Sequence, residues 1–416
     1  MDKKNIDEAL KRMENGELKL YALEKSLGID SNTATMIRRV YLEKKFGCSL
    51  SAVGSGILDF NDAVDRNIEN PVGAVHVPLG YAGEIKVNGM HASRSYPILL
   101  ATTEGKLVAG ISRGISASNE AGGINAAVIR DGMTRDVLIR TGNVKEAAAF
   151  SAFVSSAAGQ EILRKAFSRS TRHGRFIECR PYPSGRDVHL RFRATTGAAM
   201  GMNMVTIASK MASDAIVIEF GKSKGIEAGI VSESGNMCSD KKPALINFIE
   251  GRGVSVIVDM FIPAALLEKR FGLKPEAVAD LNKSKNLSGS ALAGSHGFNG
   301  HVANMLASLY LALGQDMAQV VEGAQALTDA TAVRGGLYIS CYLPSIEVGT
   351  YGGGTKRETQ MEVLKMMGLY GDNDPEGTSR LQLAEVIAAV CLAGELNLLC
   401  AEAAKDLSSS HGRIKR

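Results

Sequence analysis

Apolar positions recur at helical spacing near both ends of the chain and gather into short extended runs between them. Residues 1–47 pattern as two or three helices, with Asp30 or Ser31 able to cap the second and Gly47 to end it. From Gly54 to Gly132, short apolar runs are broken by Gly and Pro, which predicts a loop-rich region around strands. A strand-turn unit is expected at Gly73–Gly80 and a short extended piece at Lys106–Ala109. Asn143–Gly159 is Ala-rich and reads as a helix that Asn143 caps. Val188–Ala194 alternates, with His189, Arg191 and Arg193 on one face, as a half-exposed strand does. A helix from about Ala199 to Ala212 and an apolar strand at Ala215–Phe220 follow. Strands are expected again at Val254–Ile262 and Leu337–Val348. Val302–Leu313 is apolar nearly all round, the pattern of a buried central helix. The last helix runs from about Ser379 to Ala404, and a polar, Ser-rich tail follows Asp406.

The unit from about 137 to 232 reads as a small α+β domain inserted in a larger one. This gives an α+β protein in three parts: an N-terminal helical segment (1–50), a large mixed domain around the buried helix (51–136 and 233–416), and the insert (137–232). The length of 416 residues suits two or three domains.

Composition changes that picture little. Hydrophobic residues make up 45% and charged residues 22%, the balance of a water-soluble globular chain, which excludes a disordered chain, a collagen or a disulfide scaffold. The net charge of +4 is small and dispersed, so nucleic acid is not an expected partner. The six cysteines are scattered without a CxxC pair, as in reduced cytosolic thiols. The charged opening lacks the apolar core of a signal peptide, and no membrane span is expected; the protein reads as cytoplasmic. Gly is the notable excess, 45 residues, pointing to tight turns and backbone-lined ligand loops.

Familiar motifs are absent. No GxGxxG follows a strand, and Gly221-Lys222-Ser223 fails as a P-loop because Ile216 stands where the first glycine belongs. No GxSxG elbow occurs, and His296 and His301, five apart, do not share a helix face, so no metal site is expected. What remains is a series of blocks that combine charge with Gly. In order they are Glu69-Asn70-Pro71-Val72-Gly73, Thr102-Thr103-Glu104-Gly105, Asp131-Gly132-Met133-Thr134-Arg135, Gly201-Met202-Asn203-Met204, Ser234 to Pro243, Gly314-Gln315-Asp316 and Gly352-Gly353-Gly354-Thr355.

Taken together, these blocks resemble 3-hydroxy-3-methylglutaryl-CoA (HMG-CoA) reductase, from about Glu69 to His411, in its soluble, archaeal-like, NADPH-preferring form. The run Asp240-Lys241-Lys242-Pro243 followed by Ala-Leu-Ile-Asn-Phe-Ile-Glu-Gly-Arg-Gly is the most specific part. The resemblance implies reduction of HMG-CoA to mevalonate and CoA, in the mevalonate route to isoprenoids, by two successive hydride transfers from NADPH. It also implies a ferredoxin-like cofactor domain, and a homodimer or dimer of dimers with active sites at the subunit interface.

The resemblance assigns roles that chemistry makes intelligible. Lys241 is the cation for the oxyanion that forms when the thioester carbonyl takes a hydride. His411 protonates the departing CoA thiolate, a task suited to an imidazole. Glu104 donates the second proton, which requires its pKa to rise through burial or a carboxylate neighbour. Asp316 is expected between Lys241 and Glu104, tuning both. Arg135, Ser234, Asp240, Lys242, Lys285 and Asn304 match the HMG contacts, Asn304 as the partner of the catalytic Lys. Glu69, Asn70, Gly73, Arg113 and His301 are the CoA candidates. Arg169, Thr171, Arg172 and His173 match the 2′-phosphate cradle, and Met200, Gly201, Met202, Asn203, Gly352, Gly353 and Gly354 the rest of the NADPH site. Ala198 stands where the family usually has Asp, and Ser112 where Asn is common. Two competing readings are a condensing enzyme with Cys238 as nucleophile and a non-catalytic CoA-binding scaffold.

Overall fold

The computed structural model describes residues 3–46, 51, 53–56, 58–64 and 66–404. Its nine strands are β1 (Leu79–Gly89), β2 (Ser95–Ala101), β3 (Ile124–Thr141), β4 (Arg175–Ser184), β5 (Asp187–Thr195), β6 (Ala228–Ser232), β7 (Gly253–Pro263), β8 (Leu327–Val333) and β9 (Gly336–Ile346). The main path is β2-β1-β3-β7-β9-β8. Only β1 and β3 run parallel; the other pairs are antiparallel.

Strand β3 carries the architecture. Its first half, Asn125–Gly132, pairs with β7, while Met133–Arg140 pairs with β5 and the residues 138–141 also with β6. One 18-residue strand therefore serves two hydrophobic clusters. The larger cluster packs Val256, Val258 and Ile339 against the helices Val302–Leu313 and Thr378–Ala403. The smaller one joins Val137, Ile139 and Phe192 to Phe150, Ile216 and Phe220 on the helices Val144–Ser155 and Met202–Lys224. A third holds the N-terminal helices together through Leu10, Leu23 and Ile37. The protein is a mixed α+β fold.

The central helix spans Val302–Leu313, as its all-round apolar pattern predicts, and ends at Gly314 in the left-handed region (φ 68°). The C-terminal helix Thr378–Ala403 is apolar enough and long enough to cross a bilayer, yet 89% of its apolar window is buried inside the protein. It also carries two fully buried carboxylates. Glu385 accepts from the amides of Met90, His91 and Ala92, and Glu395 from those of Gly300 and His301 and from the Thr328 hydroxyl. Such burial is tolerable because the oxygens receive hydrogen bonds in place of water.

Several sequence expectations are corrected. Residues 215–220 are not a strand: the helix that starts at Met202 continues to Lys224, because Ala212, Ile216 and Phe220 recur on its buried face. Lys106 lies in the left-handed region and precedes the helix Leu107–Glu120, so Lys106–Ala109 is not extended. The strand expected at Gly73–Gly80 starts only at Leu79. The helix capped by Asn143 stops at Ser155, and Ser156 caps a second one, Ala157–Ser170. Asp30 does cap the helix Ser31–Phe46, accepting from the Thr33 amide. Gly47 and the tail with His411 lie outside the described residues.

Candidate active site

The loop after β6 is built to present side chains. Asn236, Ser239 and Lys241 all have left-handed backbone (φ 69°, 58° and 58°). Each such residue costs energy unless its surroundings over-determine it, and here they do. The Met237 amide donates to the buried Asp136 carboxylate (2.8 Å), Thr134 Oγ1 to the Cys238 carbonyl (2.9 Å), and Arg191 to the Met237 carbonyl. The Lys241 amide donates to Glu322 Oε1 at 2.8 Å.

So held, the Lys241 ammonium lies 2.8 Å from Asp316 Oδ2. That hydrogen bond raises the Lys241 pKa despite some desolvation, so the side chain stays cationic. Asp316 is itself fixed: it follows the Gly314 cap, and its Oδ1 accepts from the Ala318 amide. Gln315 exchanges two hydrogen bonds with the backbone of Gly349. Asp240 sits 3.9 Å from Arg135 Nη1, and Lys242 Nζ reaches the Asp240 carbonyl at 2.8 Å. Ser234 opens the same loop, with its amide on Ser232 Oγ.

Beneath this loop lies a group that sequence reasoning missed. Arg252 is wholly buried and meets three carboxylates: Asp240 (2.9 Å), Glu322 (2.9 Å) and Glu347 (3.0 Å). One guanidinium cannot neutralise three, and burial pushes Glu347 well above the usual carboxylate range and raises Glu322 as well. The signal that could have found it is the Arg inside the Glu250-Gly251-Arg252-Gly253 run, charge set in an otherwise apolar stretch.

The glycine blocks converge on the same place. Gly201 (φ 85°) starts the helix Met202–Lys224, and a Cβ there would sit 2.3 Å from Thr196 Cγ2. Met202 Sδ lies 3.0 Å from Arg252 Nη2, and Gln319 reaches both Met200 Sδ and Asp240. Asn203 is exposed at the helix start. A Cβ on Gly354 would approach the Gly314 carbonyl to 2.5 Å, so the loop Gly352–Gly354 lies against the end of the central helix beside Asp316. Thr171 Oγ1 accepts from the amides of His173 and Gly174 and contacts Met204 Sδ. Thr171 thus packs against the first turn of that helix, and its neighbours Arg169, Arg172 and His173 are exposed. Arg380, also unforeseen, clamps this turn: it donates to the Gly197 carbonyl and pairs with Asp131.

The other candidates gather elsewhere. Glu104 is exposed, and Asn304 Nδ2 donates to its Oε1 at 3.3 Å. Asn304 lies in the first turn of the central helix, whereas Asp316 follows its last; at 1.5 Å per residue that is about 15 Å. Within one chain Asp316 thus touches Lys241 but not Glu104, and Asn304 partners Glu104 instead of Lys241. The helix Val302–Leu313 lies between the two pairs. His301 precedes that helix, its ring 3.0 Å from the Gly394 carbonyl. Arg113 stacks over the Phe271 ring (4.6 Å), and Lys285 pairs with Glu402 (2.7 Å). Glu69 and Asn70 are exposed and Gly73 half-buried in the segment before β1. No cluster suited to a metal ion occurs among the described residues. Cys238 is fully buried behind the loop, out of reach of an acyl group, which removes the condensing-enzyme reading.

The comparisons with known proteins put the chain among oxidoreductases. The family model for hydroxymethylglutaryl-coenzyme A reductase matches residues 34–416. The chain is 44% identical over 413 residues to the 3-hydroxy-3-methylglutaryl-coenzyme A reductase of Pyrococcus abyssi, covering 99% of this chain and 100% of that one. It is 46% identical over 414 residues to that of Aeropyrum pernix, with 99% and 96% covered. A class II reductase structure from Streptococcus pneumoniae, described as bound to NADPH, superposes with a TM-score of 0.62 at 20% identity, covering 80% of this chain and 78% of that one; at that identity it speaks for the fold. The chain belongs to the hydroxymethylglutaryl-coenzyme A reductase family, whose reaction is the reduction of HMG-CoA to mevalonate.

Proposed function

We propose that each active site is formed by two copies of the chain, one supplying Lys241 and Asp316 and the other Glu104 and Asn304. The observation that carries this reading is the helix between them: it separates the two pairs by about 15 Å in a single chain, too far for one thioester carbon. The family reaction needs a cation and an acid at that carbon.

In this reading NADPH supplies the hydrides. Arg169, Thr171, Arg172 and His173 would hold its 2′-phosphate, and Met200, Gly201, Met202, Asn203 and the loop Gly352–Gly354 would hold the rest of it. Arg135, Ser234 and Lys242 orient the HMG carboxylate, Arg135 by a guanidinium fork suited to it, and Asp240 contacts another part of the HMG group. Lys285, Arg113, His301 and the segment Glu69–Gly73 receive the rest of the substrate and its CoA arm. Lys241 balances the negative charge that appears on the thioester oxygen when hydride adds to carbon. The hemithioacetal then collapses: its C–S bond breaks, and the thiolate takes a proton from His411. The aldehyde accepts a second hydride at carbon and a proton on oxygen from Glu104, which the interface would bury.

The test is anaerobic incubation of the chain with HMG-CoA and NADPH or NADH, following cofactor absorbance and free thiol. Two NADPH consumed per CoA released supports the reading. One per CoA, or none, rejects it.

A further inference from the structure

We infer that Glu322 is the positioning residue for Lys241, acting through the lysine's backbone and not its ammonium. The inference rests on the assignment of Lys241 as the cation of the reaction. Glu322 is fully buried on the short helix Val320–Gly323, and its Oε1 does two things at once. It accepts the Lys241 amide at 2.8 Å and the Arg252 guanidinium at 2.9 Å. Arg252 in turn holds Asp240, the preceding residue, at 2.9 Å. The consecutive pair Asp240-Lys241 is therefore gripped twice, once by side chain and once by main chain, from a single buried carboxylate oxygen.

That grip answers a physical need. Lys241 occupies left-handed backbone that a β-carbon disfavours, and its amide points at the fully buried Glu322 carboxylate. An unpaired buried amide would turn the peptide toward another partner and swing the ammonium from its place beside Asp316. Glu347 is the internal comparison. It is equally buried and touches the same Arg252 nitrogen, yet it makes no hydrogen bond to the loop. Reach to the Lys241 amide, not charge on Arg252, distinguishes the two glutamates.

Two substitutions separate reach from charge. Glu322→Gln keeps the acceptor where it is and removes the charge. Glu322→Asp keeps the charge and withdraws the acceptor by one methylene. Positioning predicts that the Gln variant retains kcat within about threefold, while the Asp variant loses at least about tenfold, because small misplacements of a catalytic group are costly. The NADPH KM stays unchanged in both, and Glu347→Gln stays within about twofold of the parent. The reverse order, Asp tolerated and Gln not, would overturn the proposal, as would equal loss in both. Acetic anhydride labelling of Lys241, read by mass spectrometry, is the second measurement: the Asp variant is modified faster than the parent and the Gln variant is not. Labelling needs no turnover, so a parent chain inactive on HMG-CoA counts against the proposed function alone, whereas unchanged labelling in the Asp variant counts against this inference.

Discussion

Asn304 donates to Glu104 at one end of the central helix, and Asp316 accepts from Lys241 just past the other. The helix thus acts as a spacer that keeps the carboxyl of Glu104 and the Lys241 ammonium apart within a chain. Both ends are capped by chain turns held from outside: the start by Glu395 on the C-terminal helix, the finish by the close contact of Gly314 with Gly354.

If two copies complete each site, inactive variants should rescue one another. Glu104→Gln and Lys241→Ala are each expected to be inactive alone. Dissociated and re-associated together, they should regain about a quarter of parental activity, since half the dimers are mixed and each carries one intact site. Absence of recovery, with subunit exchange verified by mass, would contradict the shared site.

Lys241→Ala should lower turnover by about a thousandfold or more while CoA binding, followed by calorimetry, largely persists. Fixed charge in a partly desolvated site is worth more to the developing oxyanion than to the ground state. Near-parental reduction would refute the role.

Asp316→Asn tests the pairing from the other side. The Asp316 hydrogen bond raises the Lys241 pKa, so the ammonium persists below that raised value and its contribution fades as pH rises through it. The alkaline limb of the rate profile should accordingly move to lower pH in Asp316→Asn. An unshifted limb would detach Asp316 from Lys241.

Glu347 gives a stability prediction. Its folded pKa lies well above the unfolded value through burial, so stability is full below the unfolded pKa and is lost as pH rises toward the folded one. Glu347→Gln has no proton to lose. Its unfolding free energy should match the parent near pH 4 and exceed it increasingly above, by at most ~1.4 kcal/mol per pH unit. Arg252→Leu should do the opposite, costing ~3–5 kcal/mol by stranding buried carboxylates. Urea titrations at several pH values read both.

His411→Ala should impair thioester reduction while free mevaldehyde is still reduced, because only the first stage expels a thiolate. Equal loss on both substrates would remove His411 from that step.

The local rules were readable in the chain itself. Val302–Leu313 announced a buried helix because apolar residues surround its whole circumference, Asn143 and Asp30 sit where caps are required, and the strands at Val254 and Leu337 follow from continuous apolar runs. The residue types around Lys241 and Asp316 were also legible, since charge beside glycine has little structural use. Other features depended on distance through space. Residues 215–220 look like a strand until the buried stripe of the preceding helix is seen to run through them. Arg252, Glu322 and Glu347 lie far apart in the chain, and only their packing makes them one charge cluster. A sequence states which groups are present and what each prefers locally. Whether Glu104 stands beside Asp316 or a helix length away is decided by the direction of one rigid element, which no local preference encodes.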